Sequence, residues 1–401
     1  MTKLLSKRVA EVKPPMTRAM TTRGNEMARA GRSIMSLAQG EPDFDTPEHI
    51  RQAGKAAIDA GQTRYTDIPG SRELTAAIIR KFERDNGLVF QPNQVTIGVG
   101  SKQVLYNALQ ATVDAGDEVV IAIPAWVSYI EMVRMAEGVP VLLPATSATG
   151  FKITPAQLEA AITPRSRWLM LNSPSNPSGA EYSAAELRAL GAVLLRHPHV
   201  WMMSDDIYEK IRYTEGDFPT MAKVVPELAD RCLTINGVSK AFAMTGWRCG
   251  YAAGPAELIR GMNLVQSTSV SHTSSVTQAA AIAALDGPMD FLPPFVAAYR
   301  RRRDLVVEAM RAIDGVTCTV PDGAFYVFPT CQALLGRRTP QGKTIVTDLD
   351  LCLYFLEDAG VAVVPGSAFE LPGHFRISYA AADATLVEGM KRLQDACRKL
   401  G

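Results

Sequence analysis

Lys240 lies in a segment whose residue types and spacing could build a reactive amine. It follows the apolar run 232–235, which we interpret as a buried strand, with Gly237 between them, and Arg248 comes eight residues later. Glycines allow tight turns and close approach of the backbone to a bound group. Lysines that form Schiff bases are activated by desolvation and by neighbouring positive charge. A solvated loop lysine is the alternative interpretation, and this segment alone does not decide between the two.

A second segment, 98–103, reads Gly-Val-Gly-Ser-Lys-Gln and leads from a predicted strand into a predicted helix. Free backbone N–H groups and the helix dipole at such a junction favour a phosphate. The spacing is not that of a P-loop, and many strand-to-helix turns with glycines bind nothing. The segment therefore predicts a phosphate site only in combination with other residues.

An acid and a phenol follow another apolar run, in Ser204-Asp-Asp-Ile-Tyr-Glu209. A carboxylate at the position of Asp205 is costly to bury unless it meets a cation. Such a carboxylate can keep a pyridine nitrogen protonated, which makes the ring an electron sink. Tyr208 comes three residues after Asp205 and faces the same side if a helical turn begins there.

An amide and an indole complete the set of candidate groups. Asn176 belongs to the rigid loop Asn172-Ser-Pro-Ser-Asn-Pro-Ser-Gly179, and its amide could hold a ring oxygen. Trp126 offers a flat surface, either for stacking on a ring or for packing in the core. An amine, an acid, a phenol, an amide, a ring platform and a phosphate cradle with an arginine are together what pyridoxal phosphate needs.

The composition limits the class of protein. A length of 401 residues favours two or three domains, or one large and one small, and 47% apolar residues are normal for a globular chain. A net charge of +1 gives no general attraction to nucleic acid or to an anionic membrane, so we expect neither as a partner.

The cysteines, the N-terminal residues and the histidines give further expectations. Six scattered cysteines are typical of reduced, mostly buried thiols. The N-terminal residues lack the apolar segment of a secretory signal, and no apolar run reaches the roughly 18 residues of a membrane span. We therefore expect a soluble, cytoplasmic protein. The five histidines lack metal-ligand spacing, so we interpret them as surface residues and predict no metal site.

Apolar strands alternate with helices from residue 95 onward. The predicted strands are 95–99, 118–123, 168–171, 200–203 and 232–235, and the predicted helices among them are 101–113, 127–136 and 183–196. This alternation predicts a largely parallel sheet covered by helices on both faces. Ligands bind such sheets at the carboxyl ends of the strands, where the candidate residues lie. Two helices precede the sheet: 48–60, capped by Thr46 with Pro47 in its first turn, and 71–86, capped by Ser71.

The pattern changes past residue 290. Pro293-Pro294 breaks the chain before a helical stretch at 295–313, whose arginine run 300–303 we interpret as a solvated face and not as a nucleic-acid patch. Strands at 324–328, 361–364 and 375–379 around a helix at 349–359 predict a smaller α+β unit. We expect a large domain at 47–292 and a small domain made of 1–46 and 293–401.

Four motifs in this chain resemble those of a known family. They are Gly40-Glu-Pro-Asp-Phe-Asp-Thr-Pro47, the loop 172–179, the segment 204–209 and Ser239-Lys-Ala-Phe-Ala-Met-Thr-Gly-Trp-Arg248. In this order and spacing they are similar to fold-type I, class I aminotransferases, which depend on pyridoxal 5′-phosphate, and most similar to the bacterial aspartate aminotransferase branch. The resemblance covers essentially the whole chain. It implies an α/β fold whose large domain has a mainly parallel seven-stranded sheet covered by helices, with a smaller α+β domain built from both termini.

The resemblance also implies a role for each candidate residue. Lys240 would carry the cofactor as a Schiff base and shuttle the proton, Asp205 would pair with the pyridine nitrogen, and Tyr208 with the ring oxygen. The remaining cofactor-binding residues would be Asn176 at the ring oxygen, Trp126 stacked on the ring, Gly100, Ser101, Lys102 and Arg248 around the phosphate, and Tyr65 from the partner subunit of a homodimer.

Substrate contacts follow from the same resemblance. Arg376 would grip the α-carboxylate as a bidentate fork, with help from the backbone of Gly40. The other expected substrate-binding residues are Trp126, Asn176 and Lys102, the last of which would hold a distal carboxylate.

The implied reaction moves an amino group from an L-amino acid to a 2-oxo acid in two half-reactions, with ping-pong kinetics and 2-oxoglutarate as the expected acceptor. A lyase or synthase of the same fold, acting at Cα or Cβ, is the alternative. A cofactor-binding regulatory module is a third reading, but residues 1–46 are too short for the DNA-binding domain that such chains carry.

Several positions depart from the branch pattern. The chain has Lys13-Pro14-Pro15 where Lys-Pro-Ser is usual, Pro124-Ala125-Trp126 where Pro-Tyr-Trp is usual, and His272-Thr273 in place of a Ser/Asn-Pro pair. Gly237 also lacks a phosphate-binding hydroxyl that some relatives have. Because a hydroxyl and a bulky ring are lost, we expect a pocket roomier than that of a strict aspartate enzyme, one that takes aromatic or other larger side chains.

Overall fold

The computed structural model describes residues 4–12 and 16–401. The α-helices, in chain order, are α1 (Lys7–Glu11), α2 (Met16–Arg29), α3 (Glu48–Asp59), α4 (Arg72–Lys81), α5 (Ser101–Thr112), α6 (Ser128–Met135), α7 (Pro155–Ala161), α8 (Ala184–Arg196), α9 (Met221–Val224), α10 (Ala256–Ser267), α11 (Ser275–Asp286), α12 (Leu292–Arg311), α13 (Asp348–Glu357) and α14 (Asp383–Arg398). The strands are β1 (Met35–Ser36), β2 (Val95–Gly98), β3 (Glu118–Ile123), β4 (Val139–Pro144), β5 (Ser166–Asn172), β6 (Trp201–Asp205), β7 (Cys232–Gly237), β8 (Gly250–Ala253), β9 (Tyr326–Val327), β10 (Val361–Ala362), β11 (Val364–Pro365) and β12 (Phe375–Ser378).

A seven-stranded sheet forms the centre of the fold, in the spatial order β2-β8-β7-β6-β5-β3-β4. Its strands are parallel except β8, which is antiparallel to both of its neighbours. The predicted, mainly parallel sheet is therefore confirmed. Our predicted strands omit β4, whose sequence Val-Pro-Val-Leu-Leu-Pro contains two prolines, which weaken a strand pattern and are tolerated here because β4 is the edge strand. They also omit β8, which follows β7 without the long crossover that marks a parallel strand in sequence.

The register of three neighbouring strands brings candidate residues together. Asn172 at the end of β5 pairs with Asp205 at the end of β6, and Asp205 pairs with Ile235 of β7. Because parallel strands end at the same edge of a sheet, the segments that follow β5, β6 and β7 meet there. Since β8 is antiparallel, the residue Arg248 that precedes it lies at this edge as well.

Helices cover both faces of the sheet because alternate strand residues enter two different apolar clusters. Trp168 and Met170 of β5 pack with α5, α6 and α10, whereas Leu169 and Leu171 pack with α7, α8 and α9. A further cluster joins α3, α4 and α11 to β2 and β8. A strand that is buried on both faces needs apolar residues at every position, which is why β5 has no polar alternation.

A smaller set of strands holds the C-terminal part of the chain. β11, β12 and β9 form an antiparallel sheet, and β1 pairs with β10 in parallel. α12 packs against α14, and Met20 and Leu37 belong to the same apolar cluster as the C-terminal residues. These contacts support a small domain made of both termini. The domain boundaries stay a prediction, and the one at 292/293 falls in the first turn of α12.

Two local predictions about helix starts are wrong. Pro293 and Pro294 do not break the chain, because α12 begins at Leu292 and a helix tolerates proline in its first turn. Thr46 does not cap α3, because Pro47 occupies the N-cap position; the Thr46 hydroxyl instead accepts from Trp247 Nε1 at 3.2 Å and donates to the Ala243 carbonyl at 2.7 Å.

The cap of the next helix is as predicted. The Ser71 hydroxyl accepts a hydrogen bond from the Leu74 backbone N–H at 3.2 Å, which begins α4. The predicted continuation of this helix to Asn86 also forms, although the segment Phe82–Asn86 is π-helical.

The arginine run 300–303 is not uniformly a solvated face. Arg302 is buried, and it donates from Nε to Asp383 at 2.6 Å and from Nη1 to Asp43 at 2.9 Å. Arg302 therefore joins α12 to the start of α14 and to the segment before α3. Composition alone does not tell which of four consecutive arginines faces inward.

The cysteines and histidines give a mixed outcome. All six cysteines are free and buried, as predicted. His199 is exposed, as predicted, whereas the other four histidines are only partly exposed, so their interpretation as surface residues holds in part. Within residues 4–12 and 16–401, no three His, Cys, Asp or Glu side chains group as metal ligands. In the same ranges, no helix combines the length and apolar character needed to cross a membrane.

A buried ion pair lies beneath the turn that follows β6. Lys81, at the end of α4, forms a salt bridge with Glu209 and donates a hydrogen bond to Asn86 Oδ1 at 2.7 Å. Asn86 Nδ2 in turn donates to the other oxygen of Glu209 at 2.8 Å. All three side chains are buried, so each polar group depends on the other two.

We expect Lys81→Met to lower the free energy of unfolding by about 3–5 kcal/mol, because it leaves the Glu209 carboxylate buried without a cation. The double variant Lys81→Met/Glu209→Gln removes both charges, so its free energy of unfolding is expected to fall less than that of the single variant. Urea unfolding of both proteins measures the difference.

The control for this prediction is Lys223→Met, which breaks an exposed salt bridge with Asp217. We expect it to change the unfolding free energy by less than about 0.5 kcal/mol. A double variant less stable than Lys81→Met would contradict a charge-burial penalty.

Candidate active site

The predicted residues converge on one cavity of about 440 Å³ at the carboxyl edge of the large sheet. Lys240, Asp205 and Tyr208 line it, and so do the predicted cofactor-binding residues Ser101, Trp126, Asn176 and Arg248. The predicted substrate-binding residues Gly40, Lys102 and Arg376 line the same cavity. A larger cavity of about 960 Å³ at the far end of α5 contains none of these residues.

Lys240 follows β7 and points its amine into the cavity. Its Nζ donates a hydrogen bond to the backbone carbonyl of Gly40 at 2.6 Å. Burial lowers the pKa of Lys240 from 10.5 to about 8; nearby Glu41 opposes this shift, and the cations Arg376 and Arg248 add to it. A lowered pKa gives a larger fraction of neutral, nucleophilic amine near neutral pH.

Asp205 ends β6 and is held by two neighbouring side chains. Its carboxylate accepts a hydrogen bond from the Tyr129 hydroxyl at 2.6 Å, and its carbonyl accepts one from Asn172 Nδ2 at 2.8 Å. Burial raises the pKa of Asp205 from 3.8 to about 6, while the Tyr129 hydrogen bond acts against this rise. Tyr129 is absent from our predicted site, because nothing in the sequence of α6 distinguishes it from a core aromatic residue.

Tyr208 lies one turn after Asp205, and its hydroxyl is 2.8 Å from the hydroxyl of Tyr326. Both phenols are buried, and burial raises the pKa of Tyr208 well above its ordinary value. Tyr326 is a second residue that our sequence analysis missed. It comes from β9, in the C-terminal part of the chain, and no local motif connects it to the segment 204–209.

The predicted phosphate end is built by close backbone packing. Within the described residues, no side chain caps α5, so its first N–H groups face the cavity edge without a side-chain acceptor. A Cβ on Gly100 would lie 2.5 Å from Arg248 Nη2, and one on Gly250 would lie 2.1 Å from the Ser101 nitrogen. Arg248 donates from Nη1 to the Thr245 carbonyl at 2.9 Å and from Nη2 to the Val99 carbonyl at 3.3 Å, and a guanidinium has five N–H donors, so it keeps capacity to bind an anion.

Arg376 is buried on β12 and is held in a fixed plane. It donates from Nη1 to Asn176 Oδ1 at 2.9 Å and from Nη2 to the Ala38 carbonyl at 2.6 Å. Its Nε has no hydrogen-bond partner among the described residues. A buried guanidinium with unused donor capacity fits a carboxylate ligand.

Lys102 and Trp126 lie together at one wall of the cavity. The Lys102 ammonium is 4.6 Å from the centre of the Trp126 ring. Trp126 is half-buried and faces the cavity, so of the two interpretations left open by the sequence the geometry favours a ring platform over a core position.

Tyr65, Gly100 and His272 do not line this cavity. Tyr65 is 92% exposed and packs its ring edge against His272. His272 uses both ring nitrogens, one toward the Thr273 carbonyl at 2.7 Å and one toward the Thr66 N–H at 3.2 Å. Pro15 lies outside the described residues.

The space beside Ala125 is small. A cavity of about 20 Å³ lies next to it, enough for about one water molecule. The loss of a ring at this position therefore adds little room, because Phe151 and Tyr182 already line the same space.

The fold and this site define a class of protein. A model of the family described as aminotransferase class I and II matches residues 32–393, and the chain belongs to that family. It is a pyridoxal-phosphate-dependent transferase that acts on small-molecule amino acids and 2-oxo acids. A lyase or synthase is not favoured.

Individual relatives are similar over the whole chain. An aspartate aminotransferase of Rhizobium meliloti (strain 1021) is 55% identical over 94% of this chain and 92% of its own length. An aspartate/prephenate aminotransferase of Cereibacter sphaeroides is 54% identical over 99% of both chains. The crystal structure of the Rhizobium meliloti aspartate aminotransferase superposes with a TM-score of 0.97 at 52% identity and covers 100% of both chains. The Thermus thermophilus aspartate aminotransferase with maleate gives a TM-score of 0.92 at 40% identity, over 98% of this chain and 100% of the other.

The cavity fits pyridoxal phosphate on three observations. It holds the buried Lys240 amine, whose pKa is lowered to about 8, one buried carboxylate that would pair with a protonated ring nitrogen, and an uncapped helix N-terminus beside Arg248. The individual roles of these residues stay predictions.

The pKa shifts predict how the cofactor-free protein responds to pH. Between pH 3.8 and about 6 the folded state holds a proton on Asp205 that the unfolded state has lost, so stability falls as pH rises through this window. Between about 8 and 10.5 the unfolded state holds a proton on Lys240 that the folded state has lost, so stability rises with pH there.

We therefore expect Asp205→Asn to stabilise the cofactor-free protein by roughly 1–3 kcal/mol at pH 7.5, with the gain fading toward pH 4. Denaturant unfolding across this pH range measures it. The exposed Asp217→Asn serves as the control and should show no such pH-dependent gain. If the cofactor-free Asp205→Asn protein were less stable than the parent at pH 7.5, burial of the ionised Asp205 carboxylate would not destabilise the folded state, and the prediction would be wrong.

Proposed function

We propose that this aminotransferase moves the amino group of aspartate, or of another L-amino acid, to a 2-oxo acid such as 2-oxoglutarate. One observation carries the proposal: the three-residue segment 38–40 accepts hydrogen bonds from both the Arg376 guanidinium and the Lys240 amine. A carboxylate on Arg376 would therefore bring its own α-carbon near the lysine that has to move a proton.

Each residue then has a task set by its position. Arg376 binds the α-carboxylate and fixes the orientation of Cα, with Asn176 and the Ala38 carbonyl holding its plane. Bound pyridoxal phosphate supplies an electron sink that makes the Cα proton acidic. Lys240, whose pKa is lowered to about 8, takes that proton from Cα and returns one to the cofactor side. Asp205 keeps the ring nitrogen protonated, and Tyr129 holds the Asp205 carboxylate in place.

The remaining cofactor contacts fix the position of the ring. Tyr208 and Asn176 donate to the ring oxygen, and Trp126 covers the ring face. The phosphate is bound by the N-terminus of α5, with Gly100, Ser101 and Lys102, and by Arg248. Because the 2-oxo acid formed from the first amino acid must leave before the acceptor 2-oxo acid enters the same cavity, we expect ping-pong kinetics.

Acidic substrates are supported by the chain's own cation and by its relatives. Lys102 places an ammonium at the cavity wall beside Trp126, where a distal carboxylate could meet it. The relatives named above are aspartate and aspartate/prephenate aminotransferases, and one was solved with maleate, a dicarboxylate. We therefore propose aspartate as a donor and include prephenate among the candidate acceptors.

The proposal of a roomier pocket has limited support at Ala125, where the extra space is about one water molecule. The lost hydroxyl at Pro15 and the replacement of a Ser/Asn-Pro pair by His272-Thr273 are the other reasons for testing aromatic substrates. A preference for aspartate over phenylalanine and tyrosine by orders of magnitude in kcat/KM would make this part of the proposal wrong.

We propose a homodimer with shared sites, in which Tyr65 reaches the partner's cofactor phosphate. The support is that Tyr65, Leu264 and Val270 are large apolar side chains left 92%, 68% and 47% exposed, which burial against a second copy would cover. A cytoplasmic location is proposed on the six free, buried thiols, which a reducing compartment would preserve.

Covalent attachment of the cofactor tests the proposal directly. Lys240→Arg keeps the positive charge but cannot form the same bond, so we expect no visible band from lysine-attached cofactor. We also expect a loss of at least ~10²–10⁴-fold in transamination of aspartate with 2-oxoglutarate. Absorbance spectra and a coupled assay measure the two effects. A Lys240→Arg protein with the parental spectrum would exclude Lys240 as the attachment site.

Lys102→Met tests the distal carboxylate site. Because a hydrogen bond to a charged group is worth ~1.5–3 kcal/mol, kcat/KM for aspartate should fall about 10–100-fold. The value for phenylalanine should change less than about threefold, and the visible band should remain. An equal loss for both amino acids would mean that Lys102 acts on the cofactor and not on the substrate side chain.

A further inference from the structure

Tyr326 lines the cavity and contacts two residues of the proposed site. It belongs to β9, is 1% exposed, and lines the cavity beside Lys240. Its hydroxyl is 2.8 Å from the Tyr208 hydroxyl, and the centre of its ring is 4.5 Å from the Arg376 guanidinium carbon. Tyr326 therefore contacts both Tyr208, the predicted hydrogen-bond donor to the ring oxygen, and Arg376, the predicted ligand of the substrate α-carboxylate.

The proton count at the two phenols fixes the direction of their hydrogen bond. Each phenol has a single proton to donate. When Tyr208 donates its proton to the cofactor ring oxygen, only Tyr326 can donate in the bond between the two hydroxyls. Hydrogen bonds in such a chain polarise and strengthen one another, most of all where water is excluded. Both phenols are buried, so water does not replace either partner.

The position of the Tyr326 hydroxyl is fixed on its other side by Gly40. A Cβ on Gly40 would lie 2.6 Å from that hydroxyl oxygen, closer than real contacts allow. Gly40 also accepts the hydrogen bond from Lys240. Gly40, which holds the Lys240 amine through its carbonyl, thus leaves space for the Tyr326 hydroxyl only because glycine has no side chain.

The ring of Tyr326 supports Arg376 separately from its hydroxyl. The guanidinium lies between the rings of Tyr326 at 4.5 Å and Phe369 at 5.0 Å. A cation near aromatic rings in a buried site is attracted by their electron-rich faces. Two hydrogen bonds and two aromatic rings therefore fix the plane of the Arg376 guanidinium before a carboxylate binds.

We propose that Tyr326 is a positioning residue with two separable parts: a hydroxyl that directs the Tyr208 proton to the cofactor, and a ring that holds Arg376 for the α-carboxylate. This inference rests on the proposed function, in which Tyr208 meets the cofactor and Arg376 meets the substrate.

The hydroxyl is tested with Tyr326→Phe in the cofactor-loaded enzyme. Without the donated bond, Tyr208 stabilises negative charge on the ring oxygen less well, and the nitrogen that Lys240 contributes keeps its proton to higher pH. The pH midpoint of the visible absorbance band should rise by roughly 0.5 unit, about threefold in the proton dissociation constant. The dissociation constant of maleate, a dicarboxylate that cannot react, should change less than about twofold because the ring is kept.

The ring is tested with Tyr326→Leu. This variant should show the same rise in midpoint and should also weaken maleate binding by about three- to tenfold. Tyr299→Phe is the matched control, because its hydroxyl is buried without a partner among the described residues. It should leave both readouts unchanged. Thermal unfolding of each loaded variant confirms that the compared proteins are folded, and if Tyr326→Leu does not fold, the Tyr326→Phe results decide.

A Tyr208→Phe background separates the inference from the proposed function. Tyr208→Phe alone should raise the midpoint, and adding Tyr326→Phe should give no further rise. If Tyr208→Phe leaves the midpoint unchanged, the proposed role of Tyr208 fails and the inference fails with it. If Tyr208→Phe shifts the midpoint but Tyr326→Phe does not, or shifts it equally in both backgrounds, only the inference is overturned.

Discussion

The desolvation of one amine and one carboxylate in the same cavity is the constraint on which the rest of this structure depends. Burial moves the pKa of Lys240 down to about 8 and the pKa of Asp205 up to about 6, so both groups are held in an environment that disfavours their charges. Such an environment exists only where packed elements exclude water. The parallel sheet provides it, because its strand ends bring the two residues together while helices cover both faces.

The same site holds its side chains in place before any ligand is bound. Lys240, Arg376 and Asp205 each have a protein hydrogen-bond partner, from the segment 38–40, Asn176 and Tyr129. These bonds offset part of the desolvation cost and also fix rotamers. Since ordering side chains on binding costs free energy, a site that is ordered in advance leaves more of the interaction energy for the substrate. The buried salt bridge Lys81–Glu209 also holds the turn that contains Tyr208, because Glu209 is the next residue in the chain.

How much the sequence predicts depends on whether the signal is local. The sequence predicts Lys240, Asp205 and Tyr208 because each follows an apolar run, and a parallel sheet places the carboxyl ends of its strands at one edge. Tyr129 and Tyr326 could not be found in this way. Their partners Asp205 and Tyr208 are 76 and 118 positions away in the chain, and the contacts exist only after folding. The inward turn of Arg302 depends in the same way on Asp43 and Asp383, from two other parts of the chain.

The glycine at position 237 shows how a departure from a family pattern can follow from packing. A Cβ on Gly237 would lie 2.8 Å from the Ser101 hydroxyl, which itself donates to the Asn236 carbonyl at 3.0 Å. A side chain at 237 would therefore force the Ser101 hydroxyl to move and would crowd the Cys249 carbonyl, which lies 3.0 Å from that Cβ. In this chain the bare backbone at Gly237 and Gly250 lets the helix N-terminus approach β7 and β8 closely. The proposed phosphate site at this N-terminus needs no side-chain hydroxyl from β7, because backbone N–H groups at a helix N-terminus can bind an anion.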